Sequence, residues 1–164
     1  MDTTRNQLSL GLMTFIEHPD QWRLLADRPE LGAAAVEEVM RVNPTVTWIT
    51  RQATEDLTFR GLDIPAGTTI HLFVEAADTD PRVFGEAPFD ITATREHHLG
   101  FGGGVHHCIG HWLSRIDMRE AFPILARRLR DPVLAGPVPQ RSASGLTGPI
   151  GLPIRFAPGE RSDA

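Results

Sequence analysis

The chain of 164 residues contains no lysine and only one cysteine, and its 16 basic residues are therefore all arginines. The absence of lysine excludes the phosphate-binding loop that ends in Gly-Lys-Ser/Thr. A single cysteine cannot form an internal disulfide, which fits a reducing cytosol, and it also excludes the two-cysteine attachment of a c-type haem.

Long apolar runs and an excess of positive charge are also absent. No run approaches the length needed to cross a bilayer, and no cationic, apolar N-terminus indicates a signal peptide. The net charge of −5 provides no basic surface for nucleic acid. The sequence therefore predicts a soluble, cytoplasmic protein that binds neither nucleic acid nor a membrane. Its length and its 41% content of hydrophobic residues suit a single domain, residues 1–164.

The ten residues 101–110, F-G-G-G-V-H-H-C-I-G, hold the cysteine behind three consecutive glycines and two histidines. Glycines allow backbone conformations and close approaches that a Cβ would forbid. A helical pattern begins directly afterwards, and the N–H groups at the start of a helix stabilise a thiolate. We interpret the stretch as a tight loop that presents the sulfur of Cys108 to something flat or small.

Two other interpretations of this loop stay open. A lone cysteine is often an inert buried hydrophobe, and three glycines can form an ordinary loop. Cysteine and histidine are also the usual ligands of zinc. The ligands of such a zinc site would be His106, His107, Cys108 and His111.

Apolar spacing predicts helices in the first quarter of the chain. The first helical pattern runs over residues 1–25 and breaks at His18-Pro19, after which Asp20 caps a short helix. The next helix starts at Pro29 and ends at Asn43-Pro44.

Extended segments and turns follow. Residues 45–53 are predicted to be extended, and residues 57–74 a hairpin or meander with a turn at Gly61-Leu62-Asp63. Ala76-Ala77 indicates a short helix, and residues 81–98 are irregular.

A further helix is predicted behind the cysteine, and Pro123 should bend or interrupt it. Its apolar stripe consists of Ile109, Trp112, Leu113, Ile116 and Phe122. Its solvent side carries Arg115, Arg119, Arg127, Arg128 and Arg130. A final strand covers residues 154–156. The pattern as a whole predicts a mainly α protein with small β-sheets (α+β).

The stretch 101–110 resembles the haem-thiolate loop of the cytochrome P-450 family. That loop has an aromatic residue, a glycine three positions later, a basic residue two before the cysteine and a small residue two after it. The matching residues are Phe101, Gly104, His106, Cys108 and Gly110. The resemblance implies that haem b is the cofactor and that Cys108 is the axial ligand of its iron.

The same resemblance assigns further residues to the cofactor. Phe101 would pack beside the haem, His106 would pair with a haem propionate, and Gly102 would let the backbone pass close under the porphyrin. Arg51 matches an arginine that pairs with a propionate in similar proteins. The alternative interpretation is that Arg51 is a solvated arginine on a strand.

Asp2 and Thr3 match an acid–alcohol pair that lies, in this family, in a long helix crossing the oxygen-binding face of the haem. The resemblance implies a catalytic role in proton delivery. The alternative is a helix N-cap, for which both residue types are suited.

Glu38 and Arg41 lie one helical turn apart and match the family's E-x-x-R motif. The resemblance implies a buried ion network with an arginine from the loop ahead of the cysteine, for which Arg95 is the candidate. A buried pair is tolerated when its hydrogen-bond sites are filled, so a third partner is physically reasonable. The alternative is a surface Glu–Arg pair worth a few tenths of a kcal/mol.

Two segments resemble the lining of the family's substrate pocket. They are Thr45, Val46, Thr47 and Trp48, and the tip of the C-terminal hairpin near Leu146 and Thr147.

The resemblance implies a monooxygenase that inserts one oxygen atom from O₂ into a small organic substrate. Electrons would come from NAD(P)H through a reductase and a ferredoxin-type donor, for which the arginines behind the cysteine are either a docking patch or simply a solvated helix face. The resemblance runs from the distal helix to the C-terminal hairpin, which is considerably less than half of a family member. We therefore expect a partial haem-binding domain. The alternatives are a truncated, non-catalytic haem-binding or interaction remnant and a small zinc protein.

Overall fold

A computed structural model describes residues 2–140 and 145–159, with only the backbone of Asp2. The N-terminal pattern forms two helices, α1 (Asp2–Glu17) and α2 (Pro19–Asp27). Proline suits the first position of a helix because its missing N–H needs no partner there. The prediction that Asp20 caps the second helix is wrong, because His18 occupies the N-cap position and Asp20 lies in the first turn.

A 3₁₀ turn, Pro29–Leu31, leads into α3 (Gly32–Val42), and Asn43 is its C-cap, which agrees with the predicted end at Asn43-Pro44. Helix α3 packs against the helix behind the cysteine, α6 (His111–Arg128). A Cβ on Gly32 would lie 2.6 Å from the backbone oxygen of Arg119. Only a glycine therefore lets the two helices approach this closely.

The hydrophobic core lies between α1, α2, α3 and α6. The ring of Phe15 contacts Trp22, with centroids 5.0 Å apart, and Phe122, with centroids 5.7 Å apart. Val39 of α3 and Met118 of α6 are fully buried beside them. Edge-on and tilted aromatic contacts of this kind add to the stability gained from apolar burial.

The prediction of which side of α6 faces the core is wrong. Phe122 is buried, but Ile109, before the helix, is fully exposed and Trp112 and Leu113 are 70% and 65% exposed. The core-facing residues are instead Met118, Phe122, Pro123 and Ala126. Helix α6 also continues through Pro123, so the interruption considered there is absent.

The strands in the described residues form three two-stranded antiparallel sheets. Their bounds are β1 (Trp48–Gln52) with β4 (Thr69–Phe73), β2 (Leu57–Phe59) with β3 (Leu62–Ile64), and β5 (Leu129–Leu134) with β6 (Ile154–Pro158). The β2–β3 turn consists of Arg60 and Gly61, both with positive φ, as in the tight hairpin turns that match strand twist. The predicted turn is therefore displaced, since Leu62 and Asp63 belong to β3.

Two short helices, α4 (Val74–Asp78) and α5 (Pro81–Phe84), precede an irregular segment. This segment leads to residues 101–110, which we call the cysteine loop. The short helix at Ala76-Ala77 is confirmed, as is the fold class of helices with small sheets. Within the described ranges, no helix has both the length and the apolar character required to span a bilayer.

Candidate cofactor site

A cavity of about 650 Å³ lies between α1, β1, the cysteine loop and the start of α6. Its size falls in the range of small-molecule and cofactor sites, roughly 300–1,000 Å³. Residues from five parts of the chain line it: Thr3, Thr4, Gln7, Met40, Thr45, Val46, Ile49, Thr50, Arg51, Gln52, Gly100, Phe101, Gly102, His106, Cys108, Gly110, Ser114 and Met118.

The cysteine loop is built from glycine turns and short backbone hydrogen bonds. Gly102 and Gly104 have φ values of 72° and 65°, in the left-handed region that side chains other than glycine rarely adopt. The amide of Cys108 donates to the carbonyl of Phe101 at 2.9 Å, and that of His107 donates to Gly104 at 3.1 Å. Helix α6 begins at His111, whose amide donates to the carbonyl of Cys108 at 3.3 Å, so the helix starts directly behind the cysteine.

The predicted cofactor residues come together at this cavity. Cys108 is exposed, and it lines the cavity with Phe101, Gly102 and Gly110. His106 and Arg51 also line it, and Arg51 donates from Nη1 to the carbonyl of Thr50 at 2.9 Å. Gly104 shapes the loop without lining the cavity.

The acid–alcohol pair lies at the start of α1. Thr3 lines the cavity, and its neighbour Thr4 does so too. Asp2 begins the helix, but its side chain lies outside the described residues.

The predicted pocket segments lie side by side, although only part of them lines the cavity. Thr45 and Thr147 exchange two hydrogen bonds, from the amide of Thr147 at 2.7 Å and from the hydroxyl of Thr45 at 2.6 Å. Val46 forms a β-bridge with Leu146. Thr45 and Val46 reach the cavity, whereas Thr47, Trp48, Leu146 and Thr147 are not part of its lining. The indole of Trp48 instead packs beside Phe73, His71 and Gly145.

Glu38, Arg41 and Arg95 form one network. The carboxylate of Glu38 accepts two hydrogen bonds of 2.8 Å from Arg41, one of 3.4 Å from Arg95 and one of 3.1 Å from the amide of Asp90. The side chains of Glu38 and Arg41 are each 3% exposed. The bidentate geometry and the added partners offset the desolvation of both charges.

Asp78 joins this network from α4 and was not predicted. Its carbonyl accepts from Arg41 at 3.3 Å, and its buried carboxylate accepts the amide of Leu99 at 2.7 Å. Burial raises the pKa of the Asp78 carboxyl, in spite of the hydrogen bond from Leu99. The carboxylate thus fixes the chain two residues ahead of Phe101.

Nine residues that line the cavity were also missed: Thr4, Gln7, Met40, Ile49, Thr50, Gln52, Gly100, Ser114 and Met118. A helical signal was available for two pairs of neighbours. Thr3 and Gln7 are four residues apart on α1, and Ser114 and Met118 are four apart on α6, so each pair shares one helix face. Gln7 also holds the pocket segment, because its Oε1 accepts the amide of Thr45 at 2.8 Å.

The chemistry of this lining fits haem. One wall presents a sulfur beside glycines that lack a Cβ, and Arg51 and His106 supply cations or donors for carboxylates. A zinc site has no comparable support. In the part of the chain that the structure describes, no three His, Cys, Asp or Glu side chains converge as metal ligands would.

The sequence matches the profile of one protein family and the sequences of several known proteins. The sequence profile of cytochrome P450 matches residues 12–131. Luteothin monooxygenase of Streptomyces thioluteus is 45% identical over 158 residues, which cover 94% of this chain and 39% of that protein. The steroid C26-monooxygenase of Mycolicibacterium smegmatis is 38% identical over 160 residues, which cover 96% of this chain and 40% of that protein.

Solved structures give the same result. CalO2 superposes with a TM-score of 0.88 at 32% identity, covering 96% of this chain and 41% of that chain. P450BioI, solved in complex with an acyl carrier protein ligated to hexadec-9Z-enoic acid, superposes with a TM-score of 0.87 at 33% identity, covering 94% and 41%. The chain spans about two fifths of the length of these proteins. Because the family profile covers well over half of its residues, the chain belongs to the cytochrome P450 family.

Proposed function

We propose that this chain is the part of a cytochrome P450 monooxygenase that binds haem b, in an enzyme that inserts one oxygen atom from O₂ into an organic substrate. Members of this family bind haem b. The observation that carries the proposal is the exposed sulfur of Cys108 on the wall of a cavity that Arg51 and His106 also line. Haem held by a thiolate supplies the activation of O₂, because the sulfur donates electron density that favours O–O cleavage.

The residues of the cysteine loop bind and protect the cofactor. Cys108 provides the thiolate, and the start of α6 stabilises its negative charge. The ring of Phe101 shields the sulfur from water, while Gly102 holds the backbone in a turn that a flat group can approach closely. Arg51 and His106 bind the cofactor's carboxylates.

The remaining cavity residues handle the proton and the substrate. Thr3 holds a proton on its hydroxyl at the cavity wall, and Asp2 supplies it. Thr45 and Val46 contact the substrate directly. We assign to Thr47, Trp48, Leu146 and Thr147 a supporting role, since their segments flank and hydrogen-bond the lining segment.

The same proposal extends to the partners and the location of the protein. A ferredoxin-type donor with its NAD(P)H reductase supplies electrons, and the exposed Arg127 and Arg130, at the end of α6 and just after it, are suited to contact an acidic donor. The relatives are named for chemically different organic substrates, among them luteothin and steroids, which supports a small organic substrate here. We place the protein in the cytoplasm, where a lone thiol stays reduced, and treat residues 1–164 as one partial haem-binding domain.

A haemin titration of the purified chain, followed by reduction and carbon monoxide, tests this proposal. Stoichiometric uptake and a strongly red-shifted carbonyl band are expected for the wild-type chain. Cys108→Ala should lose that band because the thiolate is gone. Val105→Ala is the matched control, since Val105 belongs to the same loop, is 98% exposed and does not line the cavity. The absence of haem uptake, or a red-shifted band that survives in Cys108→Ala, contradicts the proposal.

A second candidate is a haem-binding module without catalysis. The extent of the match favours it, because this chain corresponds to only 39% of the length of luteothin monooxygenase and 40% of that of the steroid C26-monooxygenase. The two candidates differ in turnover with NADPH, a reductase and a ferredoxin. Oxygen incorporated into an organic product supports the monooxygenase, whereas thiolate-bound haem that forms no product supports the module.

A further inference from the structure

A second ion network, separate from that of Glu38, connects α3 with the cysteine loop and α6. The carboxylate of Glu37 accepts hydrogen bonds from two nitrogens on one edge of the Arg115 guanidinium, from Nε at 2.6 Å and from Nη2 at 2.9 Å. This is the bidentate arrangement that makes Arg–carboxylate pairs strong and directional. The ring of His98 adds a third contact, 3.0 Å from Nε2 to Glu37.

The hydrogen bonds of His98 define its tautomer. Its Nδ1 lies 3.0 Å from the amide nitrogen of Gly100, which can only donate, so Nδ1 accepts. In the neutral ring the proton is then on Nε2 and is donated to Glu37. Because the His98 side chain is only 4% exposed, this ring forms a fixed link between Glu37 and the chain just ahead of Phe101.

Arg115 also contacts the cysteine loop directly. Its guanidinium carbon lies 4.3 Å from the centroid of the Phe101 ring, within the range of a cation–π interaction. Its Nη1 lies 2.9 Å from Nδ1 of His111. Desolvation, His107 and Arg115 lower the pKa of His111, which keeps Nδ1 available as an acceptor.

Phe101 connects this network to Cys108. Its carbonyl accepts the amide of Cys108 at 2.9 Å, and both residues line the cavity. A displacement of Phe101 would therefore disturb the hydrogen bond that fixes the backbone of Cys108. The guanidinium above that ring is itself held in place by Glu37.

We propose that Glu37 is a positioning residue that acts through Arg115 and His98 to hold Phe101, and thereby Cys108, in the geometry the cofactor requires. This inference rests on the proposed function for its consequence at the haem. The network itself can be tested without haem.

Hydrogen exchange of the chain without haem measures the network directly. The amides of Gly102 and Cys108 should exchange about tenfold faster in Glu37→Gln and in Arg115→Gln, because a charge-assisted bidentate contact restrains the loop. Arg119→Gln is the matched control, since Arg119 lies one turn further along α6 in an exposed pair with Glu120 and should exchange like the wild type. The effect of the double variant Glu37→Gln/Arg115→Gln should be smaller than the two single effects combined, because both substitutions remove the same bidentate contact.

The carbonyl spectrum then tests the effect on the sulfur. Both single variants should form a smaller share of the red-shifted thiolate complex than the wild type and Arg119→Gln. Arg115→Lys, which keeps the charge and loses the planar fork, should recover only part of that share. Far-ultraviolet circular dichroism confirms that each variant is folded.

Wild-type exchange rates in both single variants, or effects that add in the double variant, overturn the inference. If the variants exchange faster but form the same share of the red-shifted thiolate complex as the wild type, then the network restrains the loop without positioning Cys108, and that part of the inference is overturned. If the wild-type chain takes up no haem, the proposed function fails, while the exchange rates still decide whether Glu37 holds the loop.

Discussion

Two adjacent carboxylates on α3 bind arginines in very different surroundings. Glu38 is 3% exposed and holds Arg41 and Arg95 in the interior, whereas Glu37 is 42% exposed and holds Arg115 at the edge of the cysteine loop. Both pairs with α-helical arginines are bidentate, with distances of 2.8 and 2.8 Å for Glu38 and of 2.6 and 2.9 Å for Glu37. Their geometry is therefore nearly the same, and the difference between them is burial.

Burial determines what each pair does for the protein. Charges inside a protein interact strongly and cannot be left unpaired, so the Glu38 network behaves as part of the core. Charges that water reaches interact weakly, so the Glu37 network contributes little to stability. What the Glu37 network contributes is position, because Arg115 also lies over Phe101.

Removing the buried charge should give the largest effect. Glu38→Gln leaves Arg41 without its counterion and should lower the free energy of unfolding by about 3–5 kcal/mol. The remaining acceptors of Arg41 are carbonyls of Asp78 and Ala87 at 3.3 and 3.4 Å. Urea unfolding measures the difference.

Glu30→Gln serves as control for this experiment because Glu30 forms an exposed pair with Arg28. It should leave the free energy of unfolding nearly unchanged, because water screens this pair. Equal effects of the two substitutions would show that burial is not what separates the networks.

An intermediate effect is expected where α3 touches α6. Gly32→Ala places a Cβ 2.6 Å from the backbone oxygen of Arg119, so the helices must separate. We expect a loss of about 1–3 kcal/mol in urea unfolding, as for other overpacked cores. The separation should also weaken the Glu37–Arg115 contact, which joins the same two helices.

Gly151→Ala is the matched control, because a Cβ there meets no atom within 4 Å. A Gly32→Ala variant as stable as Gly151→Ala would mean that the two helices adjust freely. Arg115 would then not depend on a fixed distance between α3 and α6.

Much of the site was predictable because its signals are local in sequence. The order of Phe101, the glycines, His106 and Cys108 lies within ten residues, and each residue type has a chemical reason to be there. The Glu38–Arg41 pair is likewise one helical turn. The Glu37–Arg115 contact was not predictable, because 78 residues separate its partners and Arg115 was placed on a solvated face.

The errors in the fold have a related cause. The stripe of Trp112, Leu113 and Ile116 is truly apolar, but periodicity states only that a face is apolar and not what covers it. In this chain the smaller set around Met118 and Phe122 faces α1 and α3 instead. Strand β5 was missed because Asp131, with φ 45°, and its following proline have turn character, and the strand accommodates them as an irregularity in register.

The smallest effect on stability is expected for Glu37, and its dependence on pH can be worked out. Partial burial raises the pKa of Glu37, but the hydrogen bonds and charges of His98 and Arg115 outweigh it and lower the pKa from 4.5 to about 2. The folded state therefore favours the carboxylate. Its contribution is fully present above pH 4.5 and is lost as the pH falls toward about 2.

Comparison of the wild type with Glu37→Gln by urea unfolding over a series of pH values tests this expectation. Above pH 4.5 the variant should be less stable by about 1 kcal/mol, a value reduced from that of a buried pair because water screens the half-exposed carboxylate. The difference should shrink steadily below that pH, because the wild-type carboxyl becomes as neutral as the amide. Glu120→Gln, in the exposed pair with Arg119, should differ little from the wild type at any pH. A difference for Glu37→Gln that stays constant to low pH would mean that the lost stability comes from packing and not from charge, and the contrast with Glu38 would then have to be explained by shape alone.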